Sequence, residues 1–145
     1  MRNLKRNVAI TGADDDGFDI DNGYRGFMQF IIASQRLLGA TADSFSTEID
    51  SNGNEDALPR QKYRLANFTF VSTTTATNAA IRIRGGADTR MVNGIVKTAT
   101  NVACINLLAQ EANQADRSTI RGRDDAKQDA GPPSFNSVYF SCNGR

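Results

Sequence analysis

A mainly β single domain is predicted, an antiparallel β-sandwich or jelly-roll-like fold with one or two short helices and a long polar loop. Three observations lead there. Of the 16 acidic residues 13 are Asp, and of the 17 basic residues 13 are Arg, so Glu and Lys, both good helix formers, are nearly missing. Several short runs alternate apolar with polar or β-branched residues, the period of a half-buried strand. The length, 145 residues, suits one core spanning residues 1–145.

In chain order, Val8-Ala9-Ile10-Thr11 reads as a short strand. The Gly-punctuated acidic run from Asp14 to Gly23 is a loop. Over residues 24–38 the spacing of Phe27, Phe30, Ile31, Ser34 and Leu38 predicts a helix capped by Asn22 and stopped by Gly39. The nearly continuous apolar run at 27–33 would suit a buried strand as well. Residues 45–49 look like a strand, and Asn52-Gly53 carries a tight-reversal signal.

The clearest strand lies at 62–72, with Ala66, Phe68 and Phe70 on one side and Leu65, Asn67, Thr69 and Val71 on the other. Residues 79–84 alternate too, Ile81 and Ile83 inward and Arg82 and Arg84 outward, so 62–84 reads as a strand–turn–strand unit. Residues 91–99 have a helical option through Val92, Ile95, Val96 and Ala99, weakened by Gly94. Strands follow at 102–109 and 138–142. Between them, 110–133 is a polar loop or arm, long for a compact connection. No repeat stands out at a fixed period of 20–50 residues.

With no His and no Trp, the chain offers no His-based triad and no imidazole ligand. It has no Gly-x-Ser-x-Gly elbow, and Arg84-Gly85-Gly86-Ala87-Asp88 lacks the residues of a phosphate-binding loop. The expectation is therefore a protein that is not an enzyme. Cys104 and Cys142, without C-x-x-C spacing, read as structural. The net charge of +1 creates no global field for nucleic acid or membrane, and no stretch reaches the ~18 apolar residues of a span. The N-terminal apolar run is too short for a signal peptide, so the chain is expected to stay in a host cytoplasm.

Two local features carry candidate chemistry. Asp14, Asp16, Asp19 and Asp21 supply the hard oxygens that Ca²⁺ prefers, although they do not follow EF-hand spacing. No other cofactor is suggested. Lys62, Arg64, Arg82 and Arg84 could line one basic face, with Arg60 and Arg90 at its ends and Arg117, Arg121 and Arg123 in the polar arm, for subunit contacts or nucleic acid. Glu48-Ile49-Asp50 looks like a second acidic candidate by spacing and is read as part of a hairpin.

Together these features predict a structural, self-assembling subunit: a capsid, cement or decoration protein of a virus or bacteriophage, assembled in the cytoplasm into a virion. Its partners would be copies of itself and a larger shell protein, with no membrane. The alternatives are a Ca²⁺-dependent β-sandwich binding module and an RNA-binding coat protein using the basic face.

Overall fold

The computed structural model describes residues 3–38, 40–51, 56–108 and 119–144. Among the described residues, nine strands fall into two sheets. One contains β1 (Asn3–Thr11), β3 (Arg25–Gln35), β5 (Lys62–Ser72), β7 (Asp88–Thr98) and β9 (Ser134–Ser141), in that spatial order. The other contains β2 (Asp19–Ile20), β4 (Thr47–Ile49), β6 (Ala79–Ile83) and β8 (Ala103–Leu107). Every ladder between these strands is parallel. The chain alternates between the sheets and advances one strand per turn, which makes it a parallel β-helix.

That overturns the antiparallel sandwich. A period-2 pattern reports a strand but not its partner's direction, and here each strand pairs with the strand one full coil away. The 62–84 unit is corrected likewise: β5 pairs with β3 and β7, whereas β6 pairs with β4 and β8. Asn3 stands over Gly26, Arg25 over Lys62, Lys62 over Asp88 and Arg90 over Ser134, so the coils are 23, 37, 26 and 44 residues long. Such unequal lengths hide a solenoid from a search at one period.

The expected helix at 24–38 is also wrong, and the helical option at 91–99 is strand β7. One backbone feature explains both. Asn7, Phe30, Asn67, Asn93 and Ser137 occupy one column across the larger sheet, and all have φ between 54 and 58°. This left-handed conformation bends each strand and shifts its alternation by one residue. Inward positions therefore jump by three across the bend: Met28 to Ile31, Leu65 to Phe68, Met91 to Gly94. An i, i+3 spacing in this chain marks a bent strand. The same shift corrects the facing in β5, where Tyr63, Leu65, Phe68 and Phe70 are buried and Ala66 is only half-buried.

Asn suits this column because its short polar side chain tolerates left-handed backbone. Stacking then brings the amides together, and Asn93 Nδ2 donates to Asn67 Oδ1 at 2.6 Å. Inside, Ile31, Phe68, Gly94 and Val138 form a neighbouring column. A Cβ on Gly94 would overlap the Phe68 ring, so the small residue makes room for the large one.

The core runs along the solenoid axis from Ile20 and Ile31 through Ile49, Tyr63, Phe70, Ile81 and Ile83 to Met91 and Val96. At its C-terminal end a disulfide joins Cys104 of β8 to Cys142, just beyond β9. The described part of the polar loop, 119–133, is tied down. Asp129, buried, accepts from Arg60 (2.8 Å) and Arg121 (2.7 Å), while both arginines also reach Asp56. The Asn52-Gly53 reversal, the arm at 110–118 and Arg117 lie outside the described residues.

Candidate functional site

The smaller sheet repeats one tripeptide pattern along its outer face: Asp19-Ile20-Asp21, Glu48-Ile49-Asp50, Arg82-Ile83-Arg84. In-register parallel pairing buries the isoleucines in one column and stacks the charges on the opposite face, where Glu48 and Asp50 are themselves buried. Two acidic rungs thus lie beside one basic rung. Arg84 contacts Glu48 at 3.1 Å and Asp50 at 2.7 Å, while Arg82 contacts Asp43 at 2.8 Å and Glu48 at 3.5 Å. The Arg82 guanidinium also sits 5.3 Å from the Phe45 ring centroid.

Against this face lies the acidic loop at 14–18. Gly17 N donates to Phe45 O and Phe18 N to Ser46 O, holding the loop flat on the chain before β4. A Cβ on Gly17 would come within 2.8 Å of Ser46 O, so glycine is needed for this close approach. The result places Asp16 beside Glu48, with Asp16 Oδ1 accepting from Phe45 N–H at 2.7 Å.

Carboxylate oxygens of Asp16, Asp19 and Glu48 all lie within 4.8 Å of one another. Burial and the neighbouring Glu48 carboxyl push Asp16 up to about 8, against the Phe45 amide, which favours its charged form. Burial also raises Glu48, opposed by its hydrogen bond with Asp16 and by Arg84 and Arg82. Asp21 is raised by burial and by Asp19 and Asp50, against Arg84. Such a trio can share a proton or offer oxygens to a hard cation.

Of the four acids singled out in the sequence, then, Asp16 and Asp19 converge. Asp14 is exposed and pairs with Arg36, and Asp21 sits just beyond β2, near Asp50 and Arg84. Glu48 completes the cluster.

Five features now coincide: unequal coils, all-parallel ladders, a left-handed bend column, a buried isoleucine column and charges stacked rung on rung. A family model for the pectate-lyase-like β-helix domain matches residues 3–128. The chain belongs to that family. The matched residues include β1 to β8, and the match carries the same correction of fold class as the strand pairing. No curated protein and no solved structure matches the sequence.

In this pectate-lyase-like β-helix domain the basic residues do not form one stripe. Arg82 and Arg84 face out from the smaller sheet, whereas Arg64 lies on the larger one, stacked between Phe27 and Arg90. Arg121 is part of the ion-pair network around Asp129, and Arg123 forms an exposed pair with Asp125 at 2.7 Å.

The larger sheet's outer face differs before and after its bend. Before it, Leu4, Phe27, Arg64 and Arg90 form one outward column, with Gln29, Ala66 and Val92 in the next. After it, the outward column is Ala9, Ile32, Thr69, Ile95 and Tyr139, with no charge on any of five strands. Ile32, Ile95 and Tyr139 are 50, 48 and 66% exposed, and Phe30 at the bend is 51% exposed. The sequence hid this column because Ile95 fits a helical stripe with Val92 and Val96.

Proposed function

We propose that this β-helix is a non-enzymatic, structural subunit that assembles with copies of itself into a larger particle, a viral or phage shell being the assembly class its composition suggests. The observation that carries the reading is the uncharged column Ala9–Ile32–Thr69–Ile95–Tyr139, supported by the exposed Phe30 ring. A solvated sheet face ordinarily alternates polar residues outward. Exposed large apolar residues grouped on a rigid wall mark a surface to be covered. At the spacing of paired strands, five strands give a strip about 19 Å long. A β-helix holds such a strip straight, so copies laid side by side bury it at little entropic cost.

Sedimentation of the purified chain over a wide concentration range tests this. The reading expects a discrete oligomer that Ile95→Asp dissociates. A clean monomer at high concentration, together with no affinity for any shell or filament in electron microscopy of the native source, would sink it.

A second reading is favoured by the convergence of Asp16, Asp19 and Glu48: a Ca²⁺-binding module. It expects Ca²⁺ to raise the melting temperature and EDTA to lower it, with Glu48→Gln abolishing the difference. An unchanged melting temperature at millimolar Ca²⁺ removes it.

A further inference from the structure

On the near side of the bend, Leu4, Phe27, Ala66 and Val92 floor a groove of about 560 Å³, with Arg64 and Arg90 along it. Leu4, Phe27 and Val92 are each 40 to 49% exposed. The volume lies within the ordinary range for small-molecule sites. We propose that this groove binds an amphiphilic carboxylate, a single carboxylate headgroup on an apolar chain, with the headgroup between Arg64 and Arg90 and the chain along the apolar floor.

Charge complementarity identifies the occupant. Arg82, Arg84, Arg36, Arg60, Arg121 and Arg123 all contact carboxylates of this chain. Arg64 instead donates Nη1 to two backbone carbonyls, Tyr63 O and Asp88 O, both at 3.0 Å. For the Arg90 side chain no hydrogen bond or ion pair exists among the described residues, and the residue is exposed.

These two arginines are direct partners on adjacent parallel strands, an arrangement in which like charges repel. Burial lowers the Arg64 pKa, and the repulsion from Arg90 and Arg25 adds to it, against the Asp88 carboxylate. One anion placed between them would relieve that repulsion, and a guanidinium pair matches the two oxygens of a carboxylate. A headgroup alone would leave Leu4 and Val92 exposed. A neutral apolar chain would leave the charges opposed. Only a ligand with both parts fits the whole groove.

The site lies on the opposite side of the bend from the proposed assembly strip, so the two proposals can fail separately. Calorimetric titration of the full chain with decanoate, acetate and octyl glucoside tests the groove. Saturable 1:1 decanoate binding is expected, with no heat from acetate or the neutral glucoside below millimolar concentration. Arg90→Gln, at an exposed position, should weaken decanoate about tenfold or more while leaving the melting temperature unchanged. Val92→Glu should abolish binding by placing a carboxylate in the groove. Equal binding of octyl glucoside, undiminished decanoate binding by Arg90→Gln, or no saturable binding at all would overturn the proposal. So would an acidic peptide that binds the arginines while decanoate does not.

Discussion

The outer face of the smaller sheet and the far half of the larger sheet are built by the same in-register stacking, yet they treat their side chains oppositely. On the first, each arginine rung meets an acidic rung of the same chain, so Arg82 and Arg84 are held by Glu48, Asp43 and Asp50. On the second, Ile32, Ile95 and Tyr139 lie in one strip that nothing among the described residues covers. In a solenoid a residue on one coil finds its complement on the next coil, or only on another molecule. Charges here follow the first course and the apolar strip the second. Changes to the charged regions should therefore alter folding with no specific effect on association, and changes to the strip the reverse.

The largest folding effect should come from Arg60, buried with Asp129 where the 119–133 loop meets the start of β5. Its guanidinium also donates to Gly86 O. Arg60→Met keeps most of the volume but leaves Asp129 with Arg121 as its remaining arginine partner and strands the Gly86 carbonyl, at a cost of about 3 kcal/mol. Chemical denaturation should show that loss. An Arg60→Met protein as stable as the parent would mean that the network contributes no net stability.

Next comes the dependence on pH. Burial, with the coupled carboxyl of Asp129, pushes Asp88 up to about 6. The unfolded chain binds this proton only below about 3.9. Between pH 4 and 6 the folded state thus holds a proton the unfolded state lacks, and stability falls as pH rises, by about 2–3 kcal/mol. Asp56 works the other way: hydrogen bonds from Arg121 and Lys127 draw it down to about 2, so its contribution is lost as pH falls from about 4 to 2. Asp88→Asn, whose amide can donate to Asp129, should make the profile less steep between pH 4 and 6, the remaining slope coming from Asp16, which burial holds up to about 8. A profile unchanged by that substitution would show that Asp88 does not cause the slope.

How much of this was legible in the sequence differs between strands and site. The β character was, because Ile81 and Ile83 alternate with Arg82 and Arg84 whatever the strand direction. The parallel solenoid was not, since its coils differ in length and the left-handed column converts strand periodicity into helix-like spacing around Phe30 and Asn93. Asp19 and Glu48 lie 29 positions apart and meet only through the β2–β4 register. A signal did exist: charged-Ile-charged occurs at 19–21, 48–50 and 82–84, a repeat of pattern at uneven intervals. Asn7, Asn67 and Asn93, each inside a β-prone run, were a second such signal.

The Asn column gives a smaller effect that tests the frame carrying both faces. Asn67→Val places a β-branched residue at φ 54° and removes the bond from Asn93, which should cost about 2 kcal/mol. Asn67→Gly should recover the conformational part and lose only the hydrogen bond, about 1 kcal/mol. Equal losses in the two variants would mean that strain is not what the column avoids.

The smallest folding effect belongs to the strip, and it separates the two faces most cleanly. Ile95 is about half exposed between Thr69 and Tyr139, so Ile95→Asp removes little buried area from the isolated chain. Its folding free energy should move by no more than about 0.5–1 kcal/mol, the upper part of that range reflecting the poor strand propensity of Asp. Association should respond far more strongly, because a carboxylate at the centre of an apolar contact must be desolvated without a partner. Lys97→Gln, one outward column away in the same strand, is the matched control: it changes charge beside the strip without entering it. Sedimentation should find the Asp variant monomeric and the Gln variant unchanged. If both dissociate, association depends on charge near the strip rather than on the strip. If neither does, the exposed isoleucines face solvent, and complementarity within the chain accounts for both faces.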